Sequence, residues 1–309
     1  MKRWYHTAML LLAVGLPGLQ RATAQQDPLF SQYMFNTLAF NPAYAGSADV
    51  FTVMALGRHQ WTGFEGAPTT QTLLAHTPLR ATNLSLGFTA ITDKAGPARQ
   101  TGGFIDLAYR VRTGANSRLS FGLKGGASMY QADLASLATV ETDPANVNIQ
   151  GHLMPNFGFG LFWHGPRMYV GVSAPKLMEN DMSDAQGATV VVSKEMRHYF
   201  AMAGYVMDLS HAVKLKPSVI FRVVEGAPWS LDVNANFLFR ERVWLGAMYR
   251  VGNAFGMLAQ YQVNDQFRIG YAFDLTTTRI GAYNAGTHEL MLSYDFRFIT
   301  GRAISPRYF

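Results

Sequence analysis

The sequence predicts an all-β protein: a transmembrane, antiparallel outer-membrane β-barrel of about 14 strands, with an aromatic N-terminal segment inside or under it. Three observations predict this. Segments of about ten residues with period-two alternation keep returning, and a tilted membrane-crossing strand needs roughly 9–11 residues. The composition is rich in rings and small residues and poor in charge: 49% hydrophobic, 13% aromatic, 15% charged, with 29 glycines in 309 residues. A secretory signal opens the chain.

That signal has a basic start at Lys2 and Arg3, an apolar core from Ala8 to Leu16, and a small-x-small cleavage motif at Ala22-Thr23-Ala24. The competing reading is a membrane anchor, but the core is well short of the ~18–20 residues a spanning helix needs. The mature chain is expected to begin at Gln25, outside the cytoplasm. No cysteine follows the cleavage site, so a lipoprotein is not expected, and the chain has none anywhere. Disulfides and thiolate metal sites are therefore excluded. The expected division is a cleaved signal (1–24), an aromatic leader or plug (25–47), the barrel (48–298) and a short tail (299–309).

The formal charge is +6, but Lys2, Arg3 and Arg21 leave with the signal, so 23 basic residues face 20 acidic ones. No basic stripe is clustered, so no nucleic-acid partner is expected.

Alternation is clearest in four stretches: 104–112, 230–239, 266–275 and 288–298. In the first, Ile105, Leu107, Tyr109 and Val111 alternate with Asp106, Ala108 and Arg110. A soluble sandwich alternates too, so the repetition beside a signal peptide carries the argument. Strands are expected near 49–61, 68–77, 83–92, 103–112, 118–130, 154–163, 167–174, 197–207, 214–224, 229–239, 242–250, 254–263, 266–275 and 287–298. An even count returns the chain to its starting side.

Alternate connections should be short on the periplasmic side and long outside. The even-numbered ones contain tight-turn residues at Gly165-Pro166, Arg240-Glu241 and Asn264-Asp265. The odd-numbered ones include long polar stretches at 131–153 and 175–196, with a short exception at Val251–Asn253. Pro217 should lie near a strand start or a bulge, because an interior proline loses a ladder hydrogen bond. The segment 197–207 is ambiguous, since Phe200, Met202 and Val206 share the face expected to point inward.

Residues 26–46 fit no strand: they hold five aromatic rings in 21 residues without alternation. Phe30, Tyr33, Met34 and Phe35 could form a helical turn after Pro28, and Asn41-Pro42 forces an extended or turn geometry. Eight glycines fall on inward positions: Gly122, Gly126, Gly158, Gly160, Gly171, Gly204, Gly246 and Gly270. They are expected to leave lumen space for this leader. Its role divides evenly between a packing plug and a docking element for another protein, with Phe30, Tyr33, Met34, Phe35, Asn41, Pro42 and Tyr44 as the residues concerned.

Little looks catalytic. The histidines of the mature chain show no i, i+4 metal pairing. Gly171-Val172-Ser173-Ala174-Pro175 fails the last position of a nucleophile elbow, and the glycines at 122–126 lack phosphate-loop spacing. No catalytic residue, metal or cofactor is expected. The segment 58–68 is more individual. It reads either as an interfacial aromatic belt, as do Trp163, Trp229 and Trp244 at strand ends, or as a partner-contacting rim built from Arg58, Gln60, Trp61, Phe64 and Glu65.

The leader DPLFSQYMFNTLAFNPAYAGS, followed by ALGRHQWTGFEGAPTTQTLLAHTPL, resembles the opening of the PorP/SprF family of outer-membrane proteins associated with type IX secretion in Bacteroidetes. Further matches follow in family order: Tyr169–Pro175, Arg197-His198-Tyr199-Phe200, Leu215-Lys216-Pro217-Ser218, Trp244-Leu245-Gly246 with Tyr249-Arg250, and Gly286–Leu292. One departure is Ser173-Ala174-Pro175, where a larger apolar residue often intervenes. The resemblance implies a non-enzymatic barrel working with the secretion and gliding machinery. It also implies partners: a secreted or surface protein with a C-terminal sorting domain, often an adhesin, other components of the secretion system, and the lipid bilayer. The alternative is a passive porin or transporter for small solutes.

Overall fold

The computed structural model describes residues 28–79, 82–136, 148–182 and 194–296. The expected signal, the end of the barrel's last segment and the C-terminal tail lie outside these. Fourteen long strands form the wall, all antiparallel to their neighbours: β1 (Phe51–His59), β2 (Thr69–Pro78), β3 (Leu84–Ala95), β4 (Ala98–Arg112), β5 (Arg118–Ala132), β6 (Ile149–His164), β7 (Met168–Lys176), β8 (His198–Tyr205), β9 (Val213–Val224), β10 (Ser230–Phe239), β11 (Val243–Arg250), β12 (Ala254–Gln262), β13 (Phe267–Thr276) and β14 (Thr287–Phe296). Sequential strands pair throughout, and β1 pairs with β14 from Phe51↔Phe296 to His59↔His288. The barrel is closed, which leaves no edge for lipid to meet.

The alternation has the expected sense. On β4, Ile105, Leu107, Tyr109 and Val111 are exposed, while Asp106 and Ala108 are fully buried. Exposed here means facing lipid, and buried means facing the lumen. In the ambiguous 197–207 segment, Phe200, Met202 and Val206 are all buried. They are apolar although inward because Phe200 packs on a ring of the leader.

Connections at one end of the barrel are uniformly brief. Arg240 and Glu241 both have positive φ (47° and 56°), the backbone that a two-residue hairpin needs to match strand twist. At the other end lie the long segments after β5 and β7. Residues 93–102, expected as a loop, are instead strand on both sides of a turn at 96–97, with Ala95 paired to Ala98. The short turn at 251–253 thus has a companion. Gly96 and Gly252 both take positive φ there.

Pro217 sits inside β9 and is paired with Ala235 of β10. On its other side, pairing with β8 stops at Gly204↔Ser218 and resumes only at Met207↔Leu215. The proline therefore occupies a break in the ladder, where its missing N–H leaves no acceptor unserved.

Candidate functional site

Residues 30–47 lie inside the barrel and are almost wholly buried. The leader starts at the long-loop end, dips, rises and leaves at the short-turn end. Phe35 N–H and Asn36 N–H both donate to Gln32 O, so 31–35 is a run of turns, and an α-helical turn comes later, at Thr37–Phe40. The helical turn expected over residues 30–35 is thus displaced by one turn along the chain.

Near the long-loop end the leader is held by charge. Glu289 on β14 accepts Ser31 N–H through Oε2 and Gln32 N–H through Oε1, each at 2.9 Å. Arg58 on β1 reaches Glu289 at 3.0 Å and Asp274 on β13 at 3.1 Å, and donates to Ser31 Oγ at 2.9 Å. Ser31 Oγ–H donates in turn to Asp274 Oδ2. All three charged side chains are about 3% exposed or less. Paired, mutually hydrogen-bonded charges of this kind are the form in which burial is tolerated. On the same side of the lumen, Arg250 grips Asp232 at 2.7 and 2.9 Å.

Arg58 is therefore not a rim residue. It shares parity along β1 with Thr52, Met54 and Leu56, all buried. Its charge is needed inside, where two carboxylates converge. Trp244 is likewise no belt residue: it is buried against Phe35, with ring centroids 6.0 Å apart. Phe35, Tyr169 and Trp244 surround the fully buried Lys216, whose Nζ lies 5.3, 5.6 and 5.8 Å from the three centroids. Desolvated cation–π contacts are worth about 2 kcal/mol. Trp229 is 57% exposed at the start of β10, and Trp163 near the end of β6 donates Nε1–H to Thr113 Oγ1. Both fit the belt reading.

Replacing Trp244 with alanine is expected to cost ~3–5 kcal/mol, read as a lowered urea midpoint of the barrel in detergent. Trp229→Ala should leave the midpoint where it is. Equal midpoints for the two variants would show that Trp244 does not anchor the leader.

Phe40 bridges Phe30 and Phe200 in edge contacts at 5.9 and 5.2 Å. Asn41 uses both ends of its amide. Its Oδ1 accepts Ala43 N–H and caps the short turn Pro42–Tyr44, while its Nδ2 donates to Leu161 O at 2.9 Å. Ser173 Oγ–H donates to Phe40 O. Lower still, Tyr44 packs between His76 and Phe162, each centroid 5.4 Å away. The exit is held by Arg110, which donates to Gly46 O and to Asp49; Asp49 also takes Arg118 at 2.6 Å.

The wall is cut back where the leader passes. A Cβ on Gly122 would lie 2.1 Å from Ala43 N, and one on Gly160 would lie 2.1 Å from Asn41 Oδ1. Gly171 and Gly270 abut Asn41 and Gln32 in the same way. The other four inward glycines meet wall atoms instead: Gly158 meets Pro175, Gly204 meets Tyr169, Gly246 meets Asn236 and Gly126 meets Phe104. Half of the set clears the leader and half accommodates the wall itself. A pocket beside Leu29 and Phe30 has about 10 Å³ of free volume, the lower limit for one water molecule.

All seven leader residues singled out in the sequence (Phe30, Tyr33, Met34, Phe35, Asn41, Pro42 and Tyr44) are buried together. At the mouth, Phe64 and Glu65 are exposed, and Gln60 and Trp61 are half-buried. Their loop is tied on both sides: Thr62 N–H donates to Gly286 O and Gly96 N–H to Gly66 O, each at 2.8 Å. The sequence reading missed Ser31, Gln32, Asp274, Glu289 and Lys216. Strand parity was the available signal, since each of the three charged ones alternates with lipid-facing neighbours.

A closed fourteen-strand wall with an apolar outer band and a lumen filled by its own N-terminal segment defines a plugged outer-membrane β-barrel. The sequence model for the type IX secretion system membrane protein PorP/SprF matches residues 22–294. The chain belongs to this family, whose members are outer-membrane barrels associated with type IX secretion. Among solved structures it is similar to the Acinetobacter baumannii outer membrane protein Omp33 (TM-score 0.47, 11% identity, covering 80% of this chain and 98% of that one). It is also similar to a Pseudomonas aeruginosa FadL homologue (TM-score 0.48, 12% identity, 89% and 96%) and to the KdgM porin (0.38, 8%, 80% and 99%). At such identities the likeness is to the barrel alone. No curated protein matches the chain.

Proposed function

We propose that this barrel is a plugged, non-enzymatic platform of the type IX secretion machinery. It assists the export or surface attachment of a dedicated secreted partner bearing a C-terminal sorting domain, and it also contacts other components of the machine. The observation that carries this reading is the filled lumen. A segment hydrogen-bonded at one end to the buried Glu289 and at the other to Arg110, and fitted against wall glycines, suits a surface that binds better than a pore that conducts. Family membership supplies the machine. The loop with Gln60, Trp61, Phe64 and Glu65, tied to Gly286 and Gly96 at the same end of the barrel, supplies a candidate face for the partner.

The test is a cross-linked pull-down from intact cells, comparing wild type with Phe64→Ser/Glu65→Lys. Both side chains are exposed, so the barrel should assemble normally. Loss of an interface aromatic costs ~2 kcal/mol when it is a hot spot, so partner recovery should fall about thirtyfold. Unchanged recovery would remove this loop from the proposal. A large, steady conductance of the wild type in planar bilayers would favour a solute transporter instead.

A further inference from the structure

The direction in which the leader runs has a topological consequence. Its C-terminal end leaves the lumen where Arg110 and Arg118 hold Asp49. Those arginines flank the short turn at 113–117, at the end of the barrel where β1 begins and β14 stops. Its N-terminal end lies at the opposite mouth. Leu29 and Phe30 line a pocket with Ser230, the first residue of β10, and with Arg222, two residues from the end of β9. Ser31 is bound to Glu289 and Asp274, each two residues from the long-loop end of its strand, and to Arg58, one residue from that end of β1. Every element that touches residues 29–31 through these contacts does so near the long-loop mouth. Pro28 and Leu29 are only half-buried, whereas the residues that follow are buried.

In a single-chain outer-membrane barrel the short turns face the periplasm and the longer loops face outward. The strand wall therefore begins and ends on the periplasmic side, while the leader enters from the other. We infer that the leader's first described residues, Pro28 and Leu29, lie at the outer mouth of the barrel, so that the chain enters its lumen from the outer side. The chain then threads its own lumen from outside to inside before starting β1. This holds whether or not the proposed secretion partner docks at the mouth. If a partner does dock there, it meets Pro28 and Leu29 as part of that surface.

The absence of cysteine from the whole sequence makes a clean test available. Single cysteines would be placed at Gln26, at Glu225 in the loop after β9, and at Asn116 in the turn after β4. The last two side chains are exposed. Cells are treated with a membrane-impermeant maleimide before and after permeabilisation of the outer membrane. Gln26→Cys should label in intact cells to the same extent as Glu225→Cys, with Asn116→Cys labelling only after permeabilisation. If Gln26→Cys follows Asn116→Cys, the threading direction is wrong. If it labels in neither condition while both controls report, the N-terminus does not leave by the mouth and the inference fails as well. A pull-down result for the partner alters none of these outcomes.

Discussion

Glu289→Ala should unlatch the leader and turn a closed barrel into one that flickers open. The substitution removes the acceptor of two successive backbone N–H groups, Ser31 and Gln32, and one of the two carboxylates facing Arg58. Breaking a buried ion pair from one side costs ~3–5 kcal/mol, because the remaining partner stays desolvated. The measured signs would be a lowered urea midpoint in detergent and new conducting events in planar bilayers, absent from the wild type. Glu289→Gln keeps one acceptor oxygen and should fall between the two. Wild-type behaviour of Glu289→Ala in both assays would mean that packing alone seats the leader.

The second large effect is steric and comes with an internal control. Gly122→Leu places its Cβ 2.1 Å from Ala43 N and 2.4 Å from Pro42 C. Both are backbone atoms, so no side-chain rotation relieves the clash. Overpacking typically costs ~1–3 kcal/mol, and here the cost falls on the leader's lower half. Gly125, three residues along the same strand, is exposed on the lipid face, with nothing within 4 Å of its added Cβ. Limited chymotrypsin digestion of barrels in liposomes should clip the aromatic leader of Gly122→Leu and spare that of Gly125→Leu. Equal protection would show that the leader adapts to a filled Gly122 site.

The two glycines also show what the sequence could and could not convey. Parity along β5 separates Gly122 from Gly125, so inward and outward faces were legible wherever lipid imposed alternation. All fourteen strands were found on that basis. The pattern failed where lipid stops. Residues 93–95 and 98–102 are strand, yet Asp93, Lys94, Arg99 and Gln100 follow one another without apolar partners. Paired backbone whose side chains are polar on both faces carries no period-two signal. The first residues of β6 escape the pattern because Gln150, Gly151 and His152 interrupt the alternation, although Ile149 is buried with Tyr130, Ala132 and Met154.

The lumen was legible in outline only. Glycines and an unpaired aromatic stretch announced that something would be held inside. The residues holding it were hidden by distance along the chain, since Arg58 meets Asp274 across 216 positions and Glu289 across 231. The segment 58–68 reads as belt or rim from its composition, yet Arg58 has the inward parity of Thr52, Met54 and Leu56 and is buried with them. A tryptophan at a strand end suits a belt, but Trp244 has inward parity and packs on Phe35. Apolar inward residues such as Phe200 and Met202 looked anomalous until the leader supplied their partner.

The placement of that latch bears on how the barrel is made. Its basic member stands on the first strand, and its two acidic members stand on the last two. The leader precedes every strand of the barrel, yet the backbone N–H groups of Ser31 and Gln32 gain their acceptor only when the last strand has arrived and β14 has zipped to β1. A chain that stalled before residue 289 would carry Arg58 with Asp274 as its sole carboxylate of the pair and would leave the Ser31 and Gln32 N–H groups without their acceptor. Docking of the leader is thus a built-in report of completeness, made only by a chain that has been exported whole and has closed in register.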